Sequence, residues 1–199
     1  VDLLWSIDEA AAAVLAGVPG APAGVPVGDF GLSAAAHTPA MVPVPARSAV
    51  PTGVLVNDGS FENGPPPASA WTETTNNACE WIGDWAAVWG AAGYDGTYDY
   101  WGGGYCNSVP SSDSVEQSVT VPAGSQLSFW YIAYRVDADD AAVDTAYVEV
   151  DGNVVWSLDL TNANNTFPNW VNATADLSAY EGQTVNLKLG VDSVGDQTS

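Results

Sequence analysis

Hydrophobic and polar residues alternate in short runs along the chain after residue 53, and this period of two predicts β-strands. Apolar and polar residues alternate over residues 115–121, which are followed by a Pro-Ala-Gly turn. Two later alternating runs flank Asp151-Gly152, which predicts a two-residue hairpin turn. Residues 127–134 are apolar on both faces, which predicts a central strand. Because no helical period of comparable length appears here, the pattern predicts an all-β sandwich over residues 54–199.

The first 53 residues have a different composition, since 34 of them are Ala, Val, Gly or Pro. Ser6 and Glu9 are spaced as a capping box, and the alanine-rich run that follows predicts a short helix over residues 7–16. The prolines that come next disfavour helix and interior strand. We therefore expect residues 1–53 to form an extended arm, laid against the chain's own sandwich or against a neighbouring subunit.

Acidic side chains outnumber basic ones by 24 to 3, for a formal net charge of −21. The sandwich carries −18 of this charge and the arm only −3. An anionic surface repels phosphate groups, so nucleic-acid binding is excluded. The sequence has no apolar run of about 18 residues, so we expect no membrane insertion. The single histidine, His37, lies in the arm and no nucleophile motif occurs, so we expect no enzyme.

Two cysteines and two sequons bear on the compartment. Cys79 and Cys106 enclose a loop of about 26 residues, and we expect them to form a disulfide; two buried free thiols are the alternative. Asn164 and Asn172 begin Asn-X-Thr tripeptides, which are possible glycosylation sites. With an acidic, lysine-poor composition, these features favour an extracellular or cell-surface protein.

Several strings of the sequence resemble one known family. LVNDGSFE at residues 55–62 is similar to the opening strand of carbohydrate-binding-module-like jelly rolls of secreted bacterial and archaeal proteins. The strings that resemble later parts of that fold are, in order, AVWG at 87–90, VEQSVTVPAG at 115–124, LSFWY at 127–131, VEVDG at 148–152 and AYEGQTV at 179–185. The resemblance spans residues 54–192 and implies a jelly-roll β-sandwich.

Family members usually close with one more strand that carries paired acids. The sequence stops at Ser199 without such a strand, so we expect a jelly roll that lacks its closing strand. An unpaired sheet edge is a liability that proteins normally cover. The arm, a strand added by another chain, or a further C-terminal segment would each provide that cover.

Two groups of acids are candidate calcium ligands. The resemblance implies a structural calcium near the opening strand, where Asp58 and Glu62 lie. The second group follows the central strand, where four acids in eight residues repel one another unless a cation joins them; they are Asp137, Asp139, Asp140 and Asp144. A solvated turn and a solvated loop are the alternative interpretations.

Aromatic side chains are concentrated between residues 71 and 105. Aromatic rings stack on the apolar faces of sugars, but they also dominate protein interfaces and cores. The best candidates for an exposed glycan platform or a subunit interface are Trp81, Trp85, Tyr98, Tyr100 and Trp101. Burial in the core is the alternative for all five residues.

Two hypotheses follow. The first is a non-catalytic extracellular structural or adhesive subunit, which assembles into a filament or surface layer through its arm or by strand complementation. Its partner is a second copy or another extracellular chain. The alternative is a calcium-stabilised carbohydrate-binding module of a secreted or cell-surface protein.

Overall fold

A computed structural model describes residues 2–7, 56–76, 81–103, 110–134 and 144–194. The strands are β1 (Asp2–Ile7), β2 (Thr72–Thr75), β3 (Ile82–Gly83), β4 (Asp99–Gly103), β5 (Ser111–Thr120), β6 (Gln126–Tyr134), β7 (Thr145–Val150), β8 (Asn153–Asp159), β9 (Val171–Asp176) and β10 (Thr184–Ser193). One short helix, α1 (Ala86–Trp89), and two 3-10 turns (Asn162–Asn164 and Ser178–Tyr180) complete the described elements.

The strands form two antiparallel sheets of five strands each. Sheet A has the order β3-β4-β1-β6-β9, and sheet B has the order β2-β5-β10-β7-β8. The all-β prediction is confirmed, and β6 is an interior strand of sheet A, as its two apolar faces predicted. The predicted hairpin also forms, since β7 pairs with β8 around Asp151-Gly152, where both residues have positive φ.

Alternating side chains from both sheets meet in one hydrophobic core. In its centre the ring of Phe129 lies 5.2 Å from that of Trp5 and 5.0 Å from that of Trp156. Sheet B contributes the aliphatic series Leu187, Leu189 and Val191, each fully buried. Burial of this apolar surface is the main stabilising contribution to a sandwich of this size.

Strand β1 corrects the predicted domain boundary. Residues 2–7 pair with β4 on one side and β6 on the other, so these residues of the predicted arm lie inside the sandwich. Trp5 and Ile7 are 0% and 1% exposed. A helix beginning at Ile7 is therefore wrong, because burying these two side chains in the core between the sheets outweighs the local preference for a capped helix. The rest of the predicted helix and the proline-rich chain lie outside the described residues.

Candidate functional site

Strand alternation divides the aromatic residues of sheet A between two surfaces. In β4, Tyr100 points into the core while the next residue, Trp101, packs on the opposite surface against Ile132 of β6. In β6, Phe129 belongs to the core. Sheet A therefore carries a second, smaller hydrophobic cluster on the surface that faces away from sheet B.

We call this surface the outer aromatic face. It consists of Trp85, Tyr94, Trp101, Trp130, Tyr134, Phe167 and Trp170. Tyr94 stacks on Trp130 with ring centroids 4.4 Å apart and planes 18° apart, and it meets Trp170 edge-on at 5.7 Å. Trp85 meets Trp101 edge-on at 4.9 Å. These distances are typical of favourable aromatic pairs.

The rings of this face are anchored but only partly covered. Tyr94 is 37% exposed, whereas Trp101 is only 4% exposed. The indole N–H of Trp170 donates to the carbonyl of Ala92 at 3.2 Å, and that of Trp85 donates to the carbonyl of Trp81 at 3.1 Å. These two bonds fix the orientation of two indoles of the face, and side chains held in this way lose little conformational freedom when something packs against them.

A buried carboxylate lies at the foot of the loop that carries Tyr94. Asp99, the first residue of β4, is 2% exposed. Burial raises the pKa of Asp99 to about 7; the N–H of Tyr94 opposes this shift, and the negative charges of Glu62 and Asp84 add to it. Among the described residues, no donor meets its Oδ1 atom. Near neutral pH this carboxyl is therefore divided between its charged and neutral forms.

The predicted aromatic candidates separate into two groups. Trp85 and Trp101 lie on the outer aromatic face, and Tyr98 is half-buried against the core. Trp81, Tyr100 and Trp101 are 1%, 0% and 4% exposed, so the expectation that they are exposed is wrong. For Tyr100 the reason is its inward position in β4.

Sequence reasoning missed most of the outer aromatic face: Tyr94, Trp130, Tyr134, Phe167 and Trp170. For β6 a signal existed, because the second apolar surface of residues 127–134 is the surface that carries Trp130 and Tyr134. Trp170 comes from the loop before β9, and only the folded chain places it against Tyr94.

The carboxylates of Asp58 and Glu62 support turns. Asp58 accepts hydrogen bonds from the N–H of Asn63 at 3.0 Å and the hydroxyl of Ser69 at 3.2 Å. Glu62 Oε1 accepts the N–H groups of Thr97 and Tyr98, both at 2.7 Å. Within the described ranges, no three His, Cys, Asp or Glu side chains come together to hold a metal. This pair alone does not fit calcium, which takes six to eight oxygens.

In the second acidic group, Asp144 is the member that the structure describes. It is 2% exposed and accepts the N–H of Val194 at 2.7 Å and the hydroxyl of Ser193 at 3.2 Å, which ties the start of β7 to the end of β10. Asp137, Asp139, Asp140, Cys79 and Cys106 lie outside the described residues. Calcium in this loop and the disulfide stay predictions.

The side-chain amides of both sequon asparagines donate hydrogen bonds. Asn164 Nδ2 donates to the carbonyl of Asp159 at 2.8 Å. Asn172 Nδ2 donates to Ser128 Oγ at 3.0 Å and to the carbonyl of Phe129 at 3.1 Å. Because Nδ2 carries an N-linked glycan and keeps one N–H when modified, glycosylation of Asn172 would remove one of its two contacts; glycosylation at either site stays a prediction.

Comparisons with known proteins address the fold. No family profile matches the chain, and no curated protein matches its sequence. A solved structure that the chain resembles is TmCBM61 in complex with β-1,4-galactotriose, with 18% identity, 71% of this chain and 88% of that chain covered, and a TM-score of 0.48. In the part of the chain that the structure describes, no helix is long and apolar enough to cross a membrane.

Proposed function

We propose that the chain is a non-catalytic module that binds a neutral glycan on the outer aromatic face. The observation that carries the proposal is the stack of partly exposed rings around Tyr94, Trp130 and Trp170, on the opposite side of sheet A from the core. The core has its own aromatic centre, so these rings are not needed to fill it. Aromatic clusters that are both anchored and accessible are typical of ligand-binding surfaces.

The chemistry of a sugar ring suits this surface. A pyranose has an apolar face of C–H groups and a polar rim of hydroxyls, so it buries the first against aromatic rings and directs the second to amides and carboxylates. Exposed polar residues adjoin the aromatic ones along the chain: Asp95 follows Tyr94, and Asn169 precedes Trp170. The formal charge of −21 disfavours acidic polysaccharides, which makes a neutral glycan the better ligand.

Titration with neutral polysaccharides, followed by tryptophan fluorescence, tests the proposal. Trp170→Ala removes an accessible ring of the face and should weaken binding at least tenfold. Tyr180→Ala is the matched control, because Tyr180 is a half-buried aromatic residue that packs against the inter-sheet core. A panel of neutral glycans that leaves the fluorescence unchanged, or equal binding by both variants, would contradict the proposal.

The setting we propose for this module is extracellular or at a cell surface. Its support is the resemblance to secreted jelly rolls, together with the acidic composition. We also propose that calcium stabilises the module, with Asp137, Asp139 and Asp140 as its ligands. Asp58 and Glu62 are left out because their carboxylates accept hydrogen bonds within the chain. Loss of thermal stability on treatment with a calcium chelator would support it, and an unchanged melting temperature would oppose it.

A second candidate function is a structural subunit that assembles by strand exchange. The observation that favours it is the position of β1 between β4 and β6, separated along the chain from Val56 by 48 residues. A central strand on so long a connection can pair with the sandwich of another copy through the same hydrogen bonds. Assembly would then bury Trp5 of one copy in the core of the next.

The oligomeric state of the full chain tests this second function. Strand exchange predicts oligomers or filaments that grow with protein concentration, and it predicts that Trp5→Ala dissociates them. The matched control is Trp170→Ala, which removes an indole from the surface of the sheet and should leave assembly intact. A chain that stays monomeric at all concentrations would show that β1 pairs within its own sandwich.

A further inference from the structure

The outer surface of sheet B carries a groove that has no part in the function proposed above. Its volume is about 420 Å³, which is within the usual size range of small-molecule sites. It lies over β7, β8 and β10 and is lined by Thr145, Tyr147, Glu149, Val154, Ser157 and Asp192. We call it the Tyr147 groove. Its lining combines one aromatic ring, two carboxylates, two hydroxyls and an exposed valine.

A glycine lets the tyrosine ring lie against the sheet. Tyr147 is opposite Gly190 of β10, and a Cβ atom at Gly190 would lie 2.4 Å from Tyr147 Cζ and 2.5 Å from its hydroxyl oxygen. The ring therefore covers the backbone of β10, where any larger residue would displace it. Held in this way and half-buried, it forms a fixed wall of the groove.

The electrostatic environment of this ring is negative. Burial, with smaller contributions from the negative charges of Asp192 and Glu149, raises the pKa of Tyr147 to about 12. The phenol is therefore neutral at physiological pH, and carboxylates surround it. Asp192 is held in place, because Oγ of Ser112 donates to its Oδ1 at 2.7 Å.

An ammonium group already lies at the edge of this groove. Lys188 Nζ is 3.4 Å from Glu149 Oε1 and 4.0 Å from Glu116 Oε2. This pairing neutralises part of the charge of Glu149 and leaves Asp192 as the carboxylate available to a ligand. A cation beside both a carboxylate and an aromatic face is a recurrent mode of amine recognition.

We propose that the Tyr147 groove binds a protonated amino sugar, as a second site on the sheet opposite the outer aromatic face. Tyr147 contacts the sugar ring and the ammonium group, and Asp192 accepts hydrogen bonds from that ammonium. Thr145 and Ser157 offer hydroxyls to the sugar rim. The inference that the ligand is a sugar rests on the proposed glycan-binding function. The inference that it carries a positive charge rests on the groove alone.

Three probes separate the effect of the ligand's positive charge from the effect of its sugar rings, which we call its frame. A glucosamine trimer, at a pH where its amines are protonated, carries both features. An N-acetylglucosamine trimer keeps the frame without the charge, and spermidine keeps the charge without the frame. We expect calorimetric titration of the full chain carrying Trp170→Ala, which weakens the proposed neutral-glycan site, to show the glucosamine trimer binding at least tenfold more tightly than either of the others. Equal binding of the acetylated trimer, or of spermidine, would overturn the proposal.

Variants assign the binding to the groove. Asp192→Asn should weaken binding of the glucosamine trimer about tenfold, the loss expected for one charged contact. Tyr147→Ala should weaken it at least as much, and Asp192→Asn serves alone if that variant does not fold. Glu181→Gln is the matched control, since it removes one negative charge at a turn outside the groove and keeps an oxygen to accept the N–H of Gly124. Equal effects of Asp192→Asn and Glu181→Gln would overturn the proposal.

The two glycan proposals fail in different ways. Trp170→Ala should weaken binding of neutral glycans at least tenfold and leave the glucosamine trimer bound. If neutral glycans never bind, the outer aromatic face has no such function, and the glucosamine trimer still tests the groove. If Trp170→Ala weakens binding of the glucosamine trimer as well, the groove is not its site.

Discussion

Replacement of the buried carboxyl Asp99 by asparagine should change how the stability of the protein depends on pH. Asp99→Asn keeps the size of the side chain and an oxygen that can accept the N–H of Tyr94, but it cannot ionise. The 2% exposure of Asp99 makes ionisation costly in the folded state. Any difference in pH dependence between the two proteins therefore reports the burial of this one group.

The direction and size follow from the two pKa values. Burial raises the pKa of Asp99 from 3.8 to about 7, so between these values the folded chain holds a proton that the unfolded chain has released. The stabilisation from this proton is complete below pH 3.8 and is lost as the pH rises through 7. At about 1.4 kcal/mol for each pH unit in this interval, the loss in the wild-type protein amounts to about 4 kcal/mol.

Urea denaturation at a series of pH values from 4 to 8 measures this effect. The free energy of unfolding of Asp99→Asn, relative to wild type, should rise by about 4 kcal/mol across the series. Asp95→Asn is the control, because Asp95 is an exposed neighbour on the same loop, and its curve should run parallel to that of the wild type. A parallel curve for Asp99→Asn would refute the reasoning.

Three further predictions concern stability. Trp5→Ala should lower the free energy of unfolding by about 3–5 kcal/mol in urea denaturation, because it opens a cavity in the core; a loss below about 1 kcal/mol would contradict a central β1. Gly190→Ala should cost about 1–3 kcal/mol and raise tyrosine exposure in absorbance spectra, because its Cβ displaces Tyr147; an unchanged spectrum would contradict the packing. Glu62→Ala should speed amide exchange at residues 97 and 98, whose N–H groups it accepts, whereas unchanged exchange would show that they are held otherwise.

Local pattern was sufficient to predict the sandwich and insufficient to predict β1. The alternation in β5 and β10 is visible in the sequence because each strand buries one face. Val115 of β5 and Leu189 of β10 lie on these buried faces. In β1 the same alternation is only six residues long and overlaps a capping box. Residues 2–7 form a strand because they fill the space between β4 and β6, and that space exists only in the folded chain.

The candidate site was predictable only in part for the same reason. An aromatic-rich stretch shows that rings are present, but the phase of each strand decides which side of the sheet they occupy. The phase of β4 places Tyr100 in the core and Trp101 outside it. Trp170 joins Tyr94 across 76 residues of sequence, and the Tyr147 groove depends on a glycine in another strand. Such contacts between distant residues leave no local signal.

The indole N–H resonances of the nine tryptophans provide the most direct test of glycan binding on the outer aromatic face. In a proton–nitrogen correlation spectrum recorded during titration with a neutral glycan, we predict that the signals of Trp130 and Trp170 shift. Those of Trp5 and Trp81, which are buried in the core, should stay in place. Unshifted signals of Trp130 and Trp170 with a glycan that binds would contradict the account.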